Sequence, residues 1–352
     1  MRNLLIACVS VLAGCGGLQL TLVDSSYQRP SNVAVFFTVQ ASSGDPIPGL
    51  TAADFQIYED GALVSIDESN QTIINPELAA EHYTLLLVDM SGSVTESDQV
   101  PLIVQAATNF TSTLGEYQRV AVYAFDGGEQ LYPMQPFTTS EGASTRAVAS
   151  LENFRTRDPS TNLHGAVVQA TTELNTALER SSTPLRFGTI VVFTDGTDRA
   201  HRVSFDEMID AVDQAGVDVF AIGVGNEIDE GTLSSIGFSG YVLVQDSAAI
   251  NAAFEAVTNR IVSYTRSHYL LSYCSPARAG AHEVTIEANL EDYGSGSLSY
   301  SFDAEGFGPN CDPGRPPPFD TTGRAMRRYQ VRPSAGARIE VNIEASAEAG
   351  AN

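Results

Sequence analysis

Four compact apolar runs, separated by helix-like stretches, constrain the fold of this chain more than any other feature of its sequence. The runs are rich in Val, Ile, Leu and Phe and occupy residues 83–88, 119–125, 187–194 and 217–223. Because they are continuously apolar rather than alternating, they predict strands that are buried on both faces. Strands that alternate with helices over residues 82–263 predict an α/β fold with a doubly wound, mostly parallel sheet.

The stretches between and after these runs have the apolar spacing of amphipathic helices. The predicted helices cover residues 96–114, 163–178, 205–215 and 248–261. A further segment, residues 129–137, contains two prolines. It predicts an antiparallel strand at the edge of the sheet, since proline is poorly tolerated in a central strand.

A group of oxygen-bearing side chains stands directly after the first apolar run, in Asp89-Met90-Ser91-Gly92-Ser93. Because this is where a buried strand ends, the Asp89 carboxylate and the two serine hydroxyls are able to turn toward one point. A single carboxylate with neutral hydroxyls is an all-oxygen donor set of low charge, which suits a hard divalent cation such as Mg²⁺. A cation neutralised so incompletely would readily bind an acidic group of another molecule.

The pattern resembles the metal-ion-dependent adhesion site of von Willebrand factor type A (vWA) domains. That signature is Asp-x-Ser-x-Ser, then a distant Thr and a distant Asp, on loops at one edge of a sheet. The resemblance assigns these positions to Thr161 and Asp195. It implies that Asp89, Ser91, Ser93 and Thr161 bind the cation directly and that Asp195 binds directly or through water. The implied ion is Mg²⁺, with Mn²⁺ or Ca²⁺ as alternatives; three polar turns without a metal are the alternative interpretation.

Two further acids lie in neighbouring loops. We predict that Asp126, ahead of two glycines, shapes the outer shell of the cation, although a plain turn explains it equally well. We predict that Asp198 lines the rim of the site. By resemblance, the last helix of the domain, residues 248–261, is expected to move when ligand binds.

The segments on either side of residues 81–263 have a different character. Residues 15–80 and 264–311 contain strand-like runs broken by turn signals, which predict short β-strands. Neither flank alone has many strands, so we expect the two to pair in one β-sandwich with the vWA domain inserted between them. Residues 312–352 are rich in Pro, Arg and Ala, and most of this tail is predicted to be disordered, with residues 338–343 as a candidate for an isolated strand.

The first 14 residues have the form of an export signal, with Arg2 ahead of a short apolar core. The closing quartet Leu12-Ala13-Gly14-Cys15 resembles the lipobox of bacterial lipoproteins. This resemblance implies a lipid on Cys15 and an anchor in the cell envelope, and Gly16 favours the outer membrane if the host is Gram-negative. A leader cleaved elsewhere and a poorly packed first strand are the alternatives.

Two cysteines, Cys274 and Cys311, remain beyond this region. An even pair in an exported chain predicts a disulfide, and two buried thiols are the alternative.

Charge and motif content exclude two classes of ligand. The net charge is -24, from 43 acidic and 19 basic residues, and every basic residue is arginine. This balance argues against nucleic acid, whose phosphates require clustered positive charge. Gly223-Val224-Gly225 lacks the third glycine of a dinucleotide fingerprint, and a chain without lysine has no Walker motif, so no nucleotide is predicted.

These features predict a membrane-anchored, divalent-cation-dependent protein-binding module for adhesion or envelope assembly, and not an enzyme. Its protein ligand would present an exposed Asp or Glu that completes the metal coordination. The alternatives are a metal-assisted hydrolase and a scaffold of a secretion or envelope complex with a purely structural metal. The hydrolase is disfavoured because the motif loops do not supply both a general base and a substrate clamp.

Overall fold

The structure, a computed structural model, describes residues 17–74, 80–183, 185–319 and 337–341. The predicted export signal and Cys15 lie outside these residues. The strands are β1 (Leu18–Gln28), β2 (Asn32–Ala41), β3 (Phe55–Glu59), β4 (Ala62–Val64), β5 (Thr72–Ile74), β6 (Ala80–Asp89), β7 (Arg119–Phe125), β8 (Tyr132–Thr138), β9 (Leu185–Thr194), β10 (Asp218–Val224), β11 (Gly240–Val244), β12 (His268–Cys274), β13 (Ala281–Leu290) and β14 (Gly294–Asp303).

The helices are α1 (Ile66–Ser69), α2 (Gly92–Thr95), α3 (Val100–Gly115), α4 (Glu141–Ala149), α5 (Leu163–Arg180), α6 (Phe205–Ala215), α7 (Glu230–Ile236) and α8 (Ile250–Arg266). Within the described ranges, every helix is too short or too polar to cross a membrane. The chain divides into two compact units. The β unit comprises residues 1–74 and 267–317, and the α/β unit comprises residues 75–266 and 318–352.

The α/β unit is built on a six-stranded sheet in the order β11-β10-β9-β6-β7-β8. All neighbours are parallel except β7 and β8, which are antiparallel. The central strands β6 and β9 are buried along almost their whole length because helices cover both faces. One face packs against α3 and α8, and the other against α5, α6 and α7. The doubly wound, mostly parallel sheet predicted from the apolar runs is confirmed.

Three helices differ from their predicted bounds, and of these α5 only runs two residues further, to Arg180. The predicted helix 96–114 begins only at Val100, because the short α2 and a turn occupy the preceding residues. Pro101 then falls in the first turn of α3, where its missing N–H is tolerated. Helix α8 runs on to Arg266, five residues beyond the predicted end at residue 261.

The β unit consists of two four-stranded sheets, ordered β1-β2-β12-β5 and β14-β13-β3-β4. Each sheet combines strands from both flanks, since β12 lies between β2 and β5, and β13 lies between β14 and β3. Residues of both sheets share one apolar core. Phe37 of β2 meets Phe55 of β3 edge-on, with ring centroids 5.2 Å apart. The expected pairing of the flanks in one β-sandwich is therefore what the structure shows.

In the C-terminal region, the structure describes residues 337–341. This segment lies beside β11, and Arg338 forms a parallel bridge with Tyr241. Ile339 and Val341 pack against the apolar cluster on the α3 and α8 face of the sheet. Residues 338–341 fall within the candidate strand at residues 338–343, and their apolar alternation gives this segment one partly buried face.

Candidate metal centre

Three loops at one edge of the six-stranded sheet carry the predicted ligands. Asp89 is the last residue of β6, and Asp195 directly follows β9. These strands are parallel neighbours in register from Ala80 to Val88, so their carboxyl ends meet at the same edge. Such an edge is where crevices form in open α/β sheets. Thr161 stands two residues ahead of α5.

Hydrogen bonds join four of the five predicted ligands into one cluster. The Ser93 hydroxyl donates to Asp195 Oδ1 over 2.9 Å, and the hydroxyl oxygens of Ser91 and Ser93 are 3.3 Å apart. The Ser91 backbone N–H donates to Asp89 Oδ1 over 2.9 Å. Two carboxylates from distant parts of the sequence are thus linked through Ser91 and Ser93.

The loop that contains Thr161 is attached to both of the others through its backbone. Gly92 N–H donates to the carbonyl of Pro159 over 3.0 Å. On the other side, the N–H groups of Arg199 and Ala200 donate to the Thr161 carbonyl over 2.9 and 3.0 Å. A Cβ on Gly92 would stand 3.0 Å from Pro159 Cβ, so glycine is what permits this close approach.

The cluster is buried at its base and open at Ser93. Asp89 and Ser91 have no exposed surface, Asp195 and Thr161 are buried, and Ser93 is exposed. Burial, and then the charge of Asp195, raise the pKa of Asp89 to about 7. Burial also raises the pKa of Asp195, and the Ser93 hydrogen bond opposes that rise. The surroundings disfavour the ionised form of both carboxyl groups, and a cation at the cluster would relieve this cost.

The donor set fits a hard divalent cation. It consists of two carboxylates and three hydroxyls, all of them oxygen donors of the kind that Mg²⁺ and Mn²⁺ accept. In the part of the chain that the structure describes, no group of three or more His, Cys, Asp or Glu side chains is arranged to hold a metal ion. A nitrogen- and sulfur-rich site of the structural zinc type is therefore not formed by these residues. Asp89, Ser91, Ser93, Thr161 and Asp195 are the residues that would hold the ion.

Thr194 is a functional candidate that the sequence analysis missed. Its hydroxyl donates to Asp89 Oδ2 over 2.7 Å, and the residue is completely buried. Together with the Ser91 N–H on Oδ1, it fixes both oxygens of the Asp89 carboxylate. The available signal was a polar residue that closes the apolar run of β9 immediately before Asp195.

We expect Thr194→Val to weaken Mg²⁺ binding about tenfold, since partners that orient a metal ligand typically contribute this much or more to affinity. The near-isosteric change removes the donor to Asp89 Oδ2 and leaves the strand packing largely intact. Isothermal titration calorimetry with Mg²⁺ measures the effect. Thr189→Val, in the same strand and away from the cluster, is the matched control and should titrate like the wild type.

Asp126 lies directly after β7, in the loop that contains the two glycines. It is buried, and its carboxylate accepts hydrogen bonds from the N–H groups of Gly128, Arg157 and Asp158 at 2.8, 2.8 and 3.2 Å. The Tyr132 hydroxyl donates to the same carboxylate over 3.1 Å. Asp126 thus holds two loops together, and its contribution to the outer shell of the cation stays a prediction.

Asp198 is likewise buried. Its carboxylate accepts from the N–H of His164, in the first turn of α5, over 3.0 Å and from the N–H of His201 over 2.9 Å. It therefore fixes the loop after Asp195 against α5. An exposed charge in this loop is Arg199, whose guanidinium lies 2.5 Å from the Glu227 carboxylate.

The two cysteines lie together in the β unit. Their sulfur atoms are 2.07 Å apart, a bonding distance, with Cys274 at the end of β12 and Cys311 beyond β14. The Asn32 side chain donates to the Asp312 carbonyl over 2.7 Å and accepts from the Asp312 N–H over 3.1 Å. The segment around Cys311 is therefore held by hydrogen bonds as well as by the sulfur pair.

A cavity of about 760 Å³ lies beside this sulfur pair. Its wall includes His282, whose Nδ1 is 2.7 Å from Asp60 Oδ2 and whose Nε2 is 3.0 Å from the Ala279 carbonyl. The hydrogen bond to Asp60 raises the pKa of His282. Because both ring nitrogens are engaged, His282 is a poor candidate for a general base in this cavity.

Comparison with known proteins identifies the class of this domain. Residues 85–258 match the family model of the von Willebrand factor type A domain. This match identifies a vWA domain within the α/β unit, as the motif resemblance predicted. No protein among curated sequences matches the chain.

Several solved structures resemble it. Proximal thread matrix protein 1 from the mussel byssus is 15% identical with a TM-score of 0.45, and the alignment covers 52% of this chain and 49% of that protein. A von Willebrand factor type A protein from Catenulispora acidiphila is 11% identical with a TM-score of 0.42, over 84% and 75% of the two chains. BatB from Bacteroides thetaiotaomicron is 16% identical with a TM-score of 0.41, over 52% and 98%. The chain thus spans about half the length of the mussel protein.

Proposed function

We propose that the vWA domain is a divalent-cation-dependent protein-binding module. In this proposal Asp89, Ser91, Ser93, Thr161 and Asp195 hold Mg²⁺, with Mn²⁺ or Ca²⁺ as alternatives, and an acidic side chain of a protein partner completes the coordination. The supporting observation is the hydrogen-bonded cluster of hydroxyls and carboxylates, buried at Asp89 and exposed at Ser93. A ligand that approaches from solvent would meet the cluster on its Ser93 side.

Charge favours an acidic group as the ligand. When Asp89 is the only carboxylate bound directly and Asp195 binds through water, the divalent cation retains positive charge, which attracts a carboxylate of the partner. The chain as a whole carries a net charge of -24, so its long-range field repels acidic molecules. The cation would then supply a local attraction that the rest of the protein does not, which makes recognition depend on the metal.

We propose binding rather than catalysis because the titratable side chains near the cluster are already engaged with backbone groups of the loops. Asp126 and Asp198 accept backbone hydrogen bonds, and the His164 ring nitrogen Nδ1 lies 3.1 Å from the Val203 carbonyl. Hydrolysis would require a positioned general base beside the metal. A scaffold of an envelope complex, with a structural metal, is the second candidate, since the cluster also ties three loops together.

We further propose that the protein works in the cell envelope, anchored by lipid on Cys15, with the outer membrane favoured over the inner. The lipobox-like quartet supports the anchor. The pairing of Cys274 with Cys311 suits the oxidising compartments that exported proteins occupy. Metabolic labelling with a fatty-acid analogue tests the anchor, because Cys15→Ala should lose the label that the wild type carries.

A pull-down from native envelope extract tests the function. Wild-type protein in Mg²⁺ is expected to retain a partner that is released by EDTA and is absent with Asp89→Asn as bait. Asp206→Asn, an exposed acid in the first turn of α6, is the matched control and should retain the partner. A partner held equally in EDTA and by Asp89→Asn would instead favour the scaffold.

Metal affinity is expected to fall as the pH is lowered, because the ion binds the ionised form of Asp89. With a pKa of about 7, most Asp89 carboxyls are ionised at pH 8 and few are at pH 6. We expect Mg²⁺ affinity to drop about tenfold between these two values, since one proton competes with the ion. Titration calorimetry in several buffers would also show proton release near neutral pH. An affinity that is unchanged over this range would contradict the assignment of Asp89.

A further inference from the structure

The outer edge of β11 is partly covered by a distant segment of the same chain. β11 is the last strand of the six-stranded sheet in the described residues. Tyr241 N–H donates to the Ala337 carbonyl over 3.1 Å, and Ile339 N–H donates to the Tyr241 carbonyl over 2.8 Å. Residues 337–341 therefore extend the sheet by a short parallel segment on backbone groups that an edge strand otherwise leaves unpaired.

Side chains at this edge fit the segment specifically. Ile339 and Val341, two residues apart, face the same side and pack against the apolar cluster beneath β11. A Cβ on Gly240 would lie 2.9 Å from Ile339 Cδ1 and 3.2 Å from the Phe220 ring. Gly240 also has φ of 150°, a conformation that favours glycine. The absence of a side chain at residue 240 leaves the space that Ile339 fills.

A charged contact accompanies the apolar one. The Arg338 guanidinium lies 3.1 Å from Glu230 Oε1, which also accepts the Tyr241 hydroxyl over 2.7 Å. Glu230 belongs to α7, so helix and edge strand together present one carboxylate to the arginine of the segment. Arg338 and Glu340 are exposed, whereas Ile339 and Val341 are partly buried. The edge thus accommodates an arginine at one position of the segment and apolar residues one and three positions after it.

We propose that the β11 edge is a binding site for an extended peptide strand, and that residues 337–341 occupy it in cis as a displaceable ligand. Recognition combines main-chain hydrogen bonds with side-chain pockets for alternate residues, as in other cases of strand addition to a sheet edge. The partner that fits is an extended segment with arginine next to a β-branched residue. The proposal concerns a different edge of the sheet from the cation cluster and does not depend on metal binding.

The extent of the pairing explains why the segment is displaceable. Residues 337–341 make two backbone hydrogen bonds to β11, and both involve Tyr241. The pairing therefore uses one of the five residues of β11. Because the segment belongs to the same chain, its effective concentration at the edge is high. It therefore protects the edge from nonspecific pairing with strands of other molecules. A strand that pairs along more of β11 would compete with it.

Amide hydrogen exchange on the full chain provides the first test. In the wild type, Tyr241 N–H is expected to be protected by its bond to Ala337. Ile339→Asp removes the apolar anchor and should accelerate Tyr241 exchange at least tenfold, while Glu340→Gln, an exposed change in the same segment, should leave it unchanged. Equal Tyr241 exchange in the wild type and Ile339→Asp would overturn the proposal.

A synthetic peptide with blocked ends and the sequence of residues 337–341 provides the second test. It should bind Ile339→Asp at least tenfold more tightly than the wild type, because the tethered segment no longer competes. Gly240→Val in the Ile339→Asp background should abolish this binding, and circular dichroism checks that the sheet is retained. Failure of the peptide to bind Ile339→Asp, or a wild-type dimer that exchanges these segments between two copies, would contradict occupation in cis.

Discussion

Asp89→Asn is expected to abolish Mg²⁺ binding and, at the same time, to stabilise the cation-free protein at pH 8. Because the pKa of this carboxyl is raised from 3.8 to about 7, its ionisation costs about 4 kcal/mol more in the folded state than in the unfolded chain. Asparagine carries no charge, its amide oxygen still accepts from the Ser91 N–H, and its amide donates to the Thr194 hydroxyl. We expect a gain of about 2–4 kcal/mol in the free energy of unfolding in EDTA.

The pH dependence gives this prediction its internal control. Because the folded-state pKa of Asp89 is raised, its contribution to stability is fully present below about pH 4 and is lost as the pH rises through about 7. The advantage of Asp89→Asn should therefore grow from pH 4 to pH 8. Calorimetry suits the measurement, since the chain has no tryptophan for fluorescence. An Asp89→Asn protein that is less stable at pH 8, or that still binds Mg²⁺, would contradict the account.

A second buried aspartate serves as the contrasting variant. Asp126 accepts three backbone N–H groups and the Tyr132 hydroxyl, so its carboxylate has donors on both oxygens. Asp126→Asn would turn an amide N–H toward one of these donors. We expect it to destabilise the domain by about 1–3 kcal/mol, opposite in sign to Asp89→Asn, because a buried donor loses its acceptor.

Removal of the cysteine pair is expected to destabilise the β unit by about 4 kcal/mol. Cys274 and Cys311 are 37 residues apart in sequence, and the cross-link restricts a loop of this length in the unfolded chain. In the folded state, the hydrogen bonds of Asn32 to Asp312 still hold the segment near Cys311. The cost therefore arises mainly from the greater entropy of the unfolded ensemble.

Thermal unfolding of Cys274→Ala/Cys311→Ala measures this cost. The unfolding temperature of the double variant should fall by about 15 °C, as expected for a loss of this size in a domain of about 120 residues. Wild-type protein in reductant should behave like the double variant and thereby controls for the alanine substitutions. Identical unfolding of oxidised wild type and double variant would show that the sulfur pair does not constrain the chain.

The sequence predicted the elements that depend on local pattern. Continuous apolar runs identified β6, β7, β9 and β10, since strands covered on both faces need no polar alternation. The position of Asp89 and Asp195 after two such runs placed them at one sheet edge, because parallel neighbours end on the same side. The family motif then supplied the serines and Thr161.

The remaining features depend on long-range contacts that no local pattern contains. The order of strands in the β unit mixes the two flanks, and the register of β12 between β2 and β5 follows only from the shared core. The hydrogen bonds of Asp126 and Asp198 could not be predicted for the same reason. Sequence does not show which backbone groups an acid in a turn will meet, whereas in the structure Arg157 N–H donates to Asp126 and His164 N–H of α5 donates to Asp198.

The central claim is that distant oxygen donors converge on one divalent ion. A crystal of the full chain grown with excess MnCl₂, measured at the manganese absorption edge, tests it most directly. The account predicts one anomalous peak bonded to Asp89, Ser91 and Ser93, with Thr161 and Asp195 bound directly or through water. A well-ordered sheet edge without anomalous density at these residues would contradict the metal assignment and, with it, the proposed capture of an acidic partner.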